Sequence, residues 1–537
     1  MKSVKILDCT LRDGGYYNNW VFNEDLVNSY LNAMKVNEVD FVEIGLRSFN
    51  KAGFKGPYAF STDTFLDSLN IPKNLNIGVM VNASEFNKFE SKFLKEKICS
   101  LFKPASDSRI SLVRIASHLE EFDRSLELCE IFRELGYIVG INIMQISEAS
   151  NEQIIEFGKK ALISKPDVLY FADSLGNLKP SNISDIIKLL KTHWDGEIGI
   201  HTHDNMGMAM SNSQEAFNKG ATWIDSTVTG MGRGPGNLQT EYSLIEFKQS
   251  DKNTNYFSLL KLIDQYFEPL QIKYKWGKNP YYFLSGLNSI HPTFIQEAIS
   301  DNRYDEVDIL ALIDHLKAVG GTKYSKNISI AQTNIYDENI GGTWEPKEAL
   351  ENRNIVIVGN GPSLKEHRLG IEQFIKETNS VVICLNINNE ISPEYVNYQA
   401  ACHPMRVIAD VEKYASMNKP LIMPYGALPE LVREKLHNCD VLDYGLTTNE
   451  SSFVYNKNSS NIPLPLVFAY VLAVSNSGNA SQIFLAGFDG YEEGDPRNEE
   501  MNFILSKYSE NKNSCKLVSI TQSKYDIKVE SLYAIRA

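Results

Sequence analysis

The chain has 537 residues, 43% of them hydrophobic and 22% charged, too long for one ordinary core and apolar enough for two or more. Its 53 basic residues face 67 acidic ones, a formal charge of −14 that argues against nucleic acid or an anionic membrane as the main partner and leaves small substrates open. No segment approaches the roughly 20 uninterrupted apolar residues of a spanning helix, and seven cysteines without a CxxC pair suggest reduced thiols, so a cytoplasmic protein is expected.

Short β-rich apolar runs recur at 4–9 (VKILDC), 40–46, 76–81, 110–116, 137–143, 168–172, 197–203 (EIGIHTH) and 223–228 (WIDSTV). Between them, stretches such as NEDLVNSYLNAMKV space their apolar residues three and four apart, as amphipathic helices do. Eight strand and helix units over residues 1–250 predict a (β/α)8 TIM barrel, whose working residues belong at the C-terminal ends of its strands. Residues 251–320 predict a helical extension and 321–352, polar and glycine-rich, a linker. Residues 353–537 open a second strand, glycine-turn, helix pattern at NIVIVGNGPSL, the plan of a Rossmann-like α/β domain. The fold class expected for the whole is therefore α/β.

A closed barrel places the LRDGG stretch, read as a glycine turn after the first strand, on the same rim as the end of the seventh. Side chains two apart on a strand share a face, so His201 and His203 can both point inward beside Asp13. Two imidazoles and a carboxylate suit a divalent ion with positions left open for substrate, although an HxH pair alone is a weak signal, more often a solvated or core-satisfied pair than a metal site.

TLRDG after the first strand, HTH at the seventh and GMGRGPGN (230–237) after the eighth together resemble the DRE-TIM metallolyases. That group holds 4-hydroxy-2-oxovalerate aldolases, HMG-CoA lyases and isopropylmalate synthases. The resemblance covers roughly 4–245 and implies Asp13, His201 and His203 as metal ligands, joined by Asn237. The implied ion is manganese first, with cobalt, magnesium or zinc as alternatives. It further implies that Arg12 holds an enolate oxygen, and it leaves Glu43, Arg47, Arg114 and Asp173 as substrate-orienting candidates, with His118 a weaker one. Where the pyruvate aldolases carry a histidine three residues after the metal aspartate, this chain has Tyr16, which becomes the candidate acid/base with Tyr17 or a bound water as fallback. A phenol, with an ordinary pKa near 10, is a poorer base at neutral pH. FKGPYAFSTDTFLDSL (54–69) resembles the aldolase branch's substrate loop and tilts the expected donor toward a 2-oxo acid.

In the second domain GNGPSL, CLNIN (384–388) and IFLAGFDGY (483–491) resemble bacterial CMP-sugar sialyltransferases and flagellin-glycosylation accessory proteins. The resemblance implies a nucleotide or nucleotide-sugar pocket of Gly359, Asn360, Gly361, Pro362, Ser363, Asn386 and Asp489, with His403, Arg406 and Tyr425 as further lining. Glycine N–H groups and a helix N-terminus would face phosphate there. The transferases' late catalytic histidine has no counterpart, since the last histidine here is His437. The expected function is a metal-dependent carbon-carbon lyase or aldolase handling a pyruvate-type enolate and acting on a nucleotide-linked sugar in surface-polysaccharide or higher-sugar biosynthesis. An acetyl-CoA-dependent Claisen synthase, or a glycosyltransferase with the barrel as scaffold, are the alternatives. A homo-oligomer is expected.

Overall fold

The computed structural model describes residues 4–50, 54–248, 256–300, 306–322, 341–403, 406–407, 410–428, 430–449, 453–491, 495–511 and 513–534. The chain separates into two compact units, Met1–Asn302 with Leu316–Tyr324, and Arg303–His315 with Ser325–Ala537. Among the described residues no helix is long and apolar enough to cross a membrane.

The first unit is a closed barrel of eight parallel strands in sequence order: β1 (Lys5–Asp8), β2 (Phe41–Leu46), β3 (Asn76–Asn82), β4 (Ile110–Ser117), β5 (Ile138–Ile143), β6 (Val168–Asp173), β7 (Glu197–Thr202) and β8 (Trp223–Ser226). These are the eight apolar runs of the sequence. β1 closes on β8 with Leu7 opposite Asp225 and Asp8 opposite Ser226. Because side chains alternate between the lumen and the helix layer, the lumen fills in tiers. Leu7, Phe41, Leu112, Val168, Tyr170 and Trp223 form an apolar plug. Above it, two residues further along their strands, come Glu43, Arg114 and Asp225. Gly199 is required on β7 because the Tyr170 ring fills the space of its side chain; a Cβ there would stand 2.2 Å from the ring.

The LRDGG stretch is helical, not a turn: Thr10–Asn18 is an α-helix with both glycines inside it. Side-chain packing overrides the glycines' local cost, since a Cβ on Gly14 would strike the distant Met231 side chain and one on Gly15 the nearby Trp20 ring. After the barrel, helices Tyr256–Leu262, Glu268–Tyr274, Pro280–Leu287, Pro292–Ser300 and Glu306–Val319 follow.

The second unit carries a parallel sheet: β9 (Asn354–Val358), β10 (Val381–Leu385), β11 (Tyr398–Ala400), β12 (Leu421–Met423), β13 (Val441–Asp443), then, after a small sheet of β14 (Gly445–Thr448), β15 (Val454–Tyr455) and β16 (Ser459–Ile462), β17 (Gln482–Ala486), β18 (Leu517–Ser519) and β19 (Lys528–Val529). Its spatial order is β13-β12-β11-β10-β9-β17-β18-β19. The chain runs outward from β9 to one edge and later returns to build the other, so its direction reverses between β9 and β17. Helix Val467–Ser477 packs against this sheet and is almost wholly buried. Of the stretch expected as a linker, 323–340 lie outside the described residues. Residues 341–352 are not a linker: Trp344 N–H donates to the Asp443 carbonyl, and Leu350 is buried in the second unit's core.

Candidate functional site

The mouth of the barrel holds a cavity of about 440 Å3, lined among others by Arg12, Asp13, Tyr16, His118, His201, His203, Arg233 and His291. Asp13 comes from the first turn of the helix after β1, where its N–H bonds the Cys9 carbonyl. His201 lies on β7 and His203 just beyond its end. Asn237, brought back by the loop after β8, donates from Nδ2 to Asp13 Oδ2 at 2.8 Å.

Both imidazoles are pinned at Nδ1. His201 Nδ1 is 2.9 Å from Asp225 Oδ2, and His203 Nδ1 is 2.9 Å from the Asp173 carbonyl oxygen. With Nδ1–H donating to these oxygens, each Nε2 keeps its lone pair, the arrangement that orients histidine for a metal. His201 Nε2 stands 3.6 Å from Asp13 Oδ2, close to the separation of two donors each about 2.1 Å from one ion. The rings of His201 and His203 are 5.2 Å apart and perpendicular.

Electrostatics agree with that geometry. Burial alone would raise the Asp13 carboxyl, but Arg12 and then His201 bring it below the usual carboxylate range. Burial would likewise raise Glu43, which Arg114 and Arg12 lower instead. Burial, and then His201 beside it, pushes His203 down to about 4, so its ring is neutral near pH 7. The buried cluster sets three carboxylates, Asp13, Glu43 and Asp225, against two guanidiniums, Arg12 and Arg114, leaving one excess negative charge. Asn237 Oδ1 is buried without a partner. An excess anion, two free imidazole nitrogens and an orphaned amide oxygen fit a divalent cation.

Cys9, His201 and Asp225 also bring ligand atoms within 4.8 Å of one another. Asp225 Oδ2, however, already takes Arg114 Nη1 at 2.5 Å and His201 Nδ1, while burial pushes the Cys9 thiol well up. This trio therefore supports the open set of Asp13, His201 and His203 from below.

Arg12 donates from Nε to Glu43 at 2.7 Å and from Nη1 to Asp13, and its Nη2 is buried without a partner. Glu43 also receives Arg114, through Nε at 2.8 Å and Nη2 at 2.9 Å. Glu43 and Arg114 thus lie under the site and hold it; neither lines the cavity. Tyr16 lines the cavity with its ring against Trp20, whereas the Tyr17 hydroxyl accepts the Gly234 N–H at 3.0 Å.

The other two expected substrate contacts, Arg47 and Asp173, are not brought to the cavity either. Arg47 is 2% exposed and committed to the Ser61 and Leu101 carbonyls and to Asp63, with its guanidinium over the Phe102 ring. Irregular pairing of β2 with β3 between Glu43 and Gly45 breaks the two-residue alternation that would have aimed it inward. Asp173 follows the inward Ala172, so its side chain leaves the lumen and accepts the Asn177 and Leu178 N–H groups, and burial raises it to about 7. Asp225 and Arg233 were not anticipated. An acid two residues after a lumen-facing Trp223 on the last strand was a usable signal for Asp225; Arg233 stood inside the GMGRGPGN motif, from which only Asn237 was taken.

In the second unit a cavity of about 450 Å3 is lined by residues that include Gly359, Asn360, Gly361, Pro362, Asn386 and Asp489. His403 and Arg406 line it too; Tyr425 does not, its hydroxyl donating to the Arg433 carbonyl. Ser363 lies just behind, its Oγ donating to Asp489 at 2.8 Å. The expected phosphate cradle is not open: Gly359 N–H donates to the Ala486 carbonyl, Gly361 N–H to Gly487, and Ser363 N–H to Asp489. A carboxylate already stands where the phosphate was expected. The cavity's cations are instead Arg406 and Arg497, the latter held by Asp495 and stacked 3.8 Å from the Tyr491 ring.

Residues 3–264 match the HMGL-like family. A 4-hydroxy-2-oxovalerate aldolase of Brevibacillus brevis is 26% identical over 330 residues, 60% of this chain and 93% of that protein. Another from Bacillus cereus is 30% identical over 225 residues, 41% of this chain and 65% of that protein. A solved N-terminal domain from Bacteroides vulgatus is 32% identical, with 56% of this chain and 98% of that one covered at a TM-score of 0.49. The barrel segment of this chain is therefore similar to the HMGL-like family, and the relatives it matches include aldolases.

Proposed function

We propose that the barrel is a divalent-metal-dependent aldolase or lyase that makes or breaks a carbon-carbon bond next to a 2-oxo acid. The observation that carries this is one cavity holding two imidazoles with Nε2 free, Asp13 between Arg12 and Asn237, and an unpartnered Arg12 Nη2. Asp13, His201 and His203, with Asn237, would hold the ion, manganese being the first candidate, and the ion would polarise the 2-oxo acid's ketone. Arg12, kept charged by Asp13 and Glu43, aims its Nη2 at the oxygen that becomes negative as the enolate forms. Tyr16 is the acid/base candidate on the cavity wall for the hydroxyl proton of the carbonyl partner.

We infer further that the second unit is Rossmann-like and binds a nucleotide-linked sugar, the carbonyl partner's source. Its support is the cavity's place: it opens after β9, β10 and β17, at the reversal of strand order where open parallel sheets take their ligands. Arg406 and Arg497 would face the phosphates, and Asn360, Asn386 and Asp489 the hydroxyl groups. The test is the full chain with pyruvate, manganese and a panel of CMP-, UDP- and GDP-sugars, followed by mass spectrometry. Extension or cleavage of a sugar's carbon chain is expected; none with any of them overturns the reading.

Asp225→Asn tests the metal centre. An amide can still reach His201 Nδ1, but it no longer enforces the tautomer that leaves Nε2 as an acceptor. Manganese affinity, by calorimetry on the chelator-treated chain, should fall about 10–100-fold. Unchanged affinity would remove His201 from the ligand set.

A further inference from the structure

The barrel cavity contains a cation that the reaction proposed above does not use. Arg233 lines it from the loop after β8, half-buried, with its guanidinium 3.6 Å from the Tyr16 ring. Among the described residues that guanidinium has neither a hydrogen-bond nor an ion-pair partner. Arg12 and Arg114, by contrast, are tied to carboxylates. Stacking on an aromatic face engages the π surface of a guanidinium and leaves its in-plane N–H groups for an acceptor.

The loop is tied by hydrogen bonds where it presents Arg233. Gly236 N–H donates to the Arg233 carbonyl at 3.1 Å, Gly234 N–H to the Tyr17 hydroxyl at 3.0 Å, and Gly277 N–H to the Gly234 carbonyl at 3.0 Å. Trp276 Nε1 holds the Thr229 carbonyl at 3.1 Å. Beside it, His291 Nδ1 accepts the Thr293 N–H, which leaves the ring hydrogen on Nε2. Burial, and then Arg233, pushes His291 down to about 3, so it stays a neutral donor. Of the cavity's two carboxylates, Asp13 belongs to the metal set and Glu120 has a partner of its own.

We propose that Arg233 sets the specificity of the barrel by binding a carboxylate or phosphate on the carbonyl partner, so that its carbon-carbon substrates carry a second anionic group remote from the 2-oxo acid. This rests on the aldolase reading. In the cleavage direction the bond between the hydroxyl-bearing carbon and the methylene breaks, and the hydroxyl proton leaves to a base. The electron pair stays with the pyruvate fragment, which takes up a proton to become methyl, while the aldehyde leaves with the anionic group. No oxidant or co-reactant is needed.

The test uses the full chain with manganese and pyruvate against three aldehydes: propanal, which is neutral, succinic semialdehyde, which carries a carboxylate, and glyceraldehyde 3-phosphate. The wild type should prefer at least one anionic aldehyde over propanal by about tenfold or more in kcat/KM, and which one it prefers identifies the group. Arg233→Ala should collapse that ratio toward one, Arg233→Lys should keep part of it, and Tyr16→Phe should slow all three aldehydes while preserving the ratio. An undiminished ratio in Arg233→Ala overturns the proposal. Exchange of pyruvate methyl hydrogens in deuterated water, followed by NMR on the wild type, separates the two readings. Exchange without anionic preference sinks the role of Arg233, and no exchange sinks the aldolase reading itself.

Discussion

Arg12→Lys should lower turnover of the barrel reaction by about 10²–10³-fold while the bound metal stays at its wild-type stoichiometry. The argument starts from charge. Arg12 is one of two guanidiniums facing three buried carboxylates, so an uncharged replacement would leave a second excess negative charge and confound catalysis with folding. Lysine keeps the charge but not the fork. Arg12 binds Glu43 through Nε and Asp13 through Nη1, and only the third nitrogen, Nη2, remains for an oxyanion. A single ammonium cannot serve all three places. Losing one preorganised donor to a developing oxyanion typically costs about 2.7–4 kcal/mol. Because that interaction matures only in the transition state, kcat should fall while KM for the 2-oxo acid changes little. Metal content by elemental mass spectrometry and steady-state kinetics on the same preparation decide the matter. Loss of metal in parallel with activity would make Arg12 a support for Asp13 and nothing more.

The barrel was legible because its strands are buried on both faces and so appear as eight apolar runs at regular spacing, and because a closed ring leaves little freedom over which ends meet. His201 was legible for the same reason: the parity of β7 decides its direction. What stayed hidden depends on packing and pairing detail that the local pattern does not carry. Gly14 and Gly15 suggested a turn, but the surfaces that make them helical come from Met231 and Trp20. Arg47 had the right parity on paper, and one pairing irregularity in β2 turned it outward. Asp173 had the wrong parity for the lumen, which its neighbours Tyr170 and Ala172 could have revealed. The glycines of GNGPSL are where they were expected, yet their N–H groups are taken by the β17 side of the sheet and the helix start by Asp489. A motif reports which backbone is close to which space; it does not report what else has arrived there.

The largest effect on stability should come from Arg114→Met. Arg114 is fully buried and bridges Glu43 to Asp225, with its guanidinium 4.7 Å from the Tyr170 ring. Methionine fills much of the stem's volume, so the loss is mainly one of charge. Glu43 would keep Arg12, but Asp225 would keep only His201, and an uncompensated buried carboxylate typically costs about 3–5 kcal/mol. At roughly 2–4 °C per kcal/mol for a unit of this size, scanning calorimetry should show the barrel's transition lowered by ~10 °C. The triple variant Arg114→Met, Glu43→Gln, Asp225→Asn removes the excess negative charge, leaving Arg12 paired with Asp13, and should recover much of that loss, because a buried ion network stabilises less by existing than it destabilises when broken. It should nonetheless bind manganese poorly, since the tautomer of His201 depends on Asp225. Recovered stability with weakened metal binding is the signature of a network that serves the site above it. An unshifted transition in Arg114→Met would show instead that solvent or a neighbouring group reaches Asp225, and that the tier beneath the histidines is not sealed.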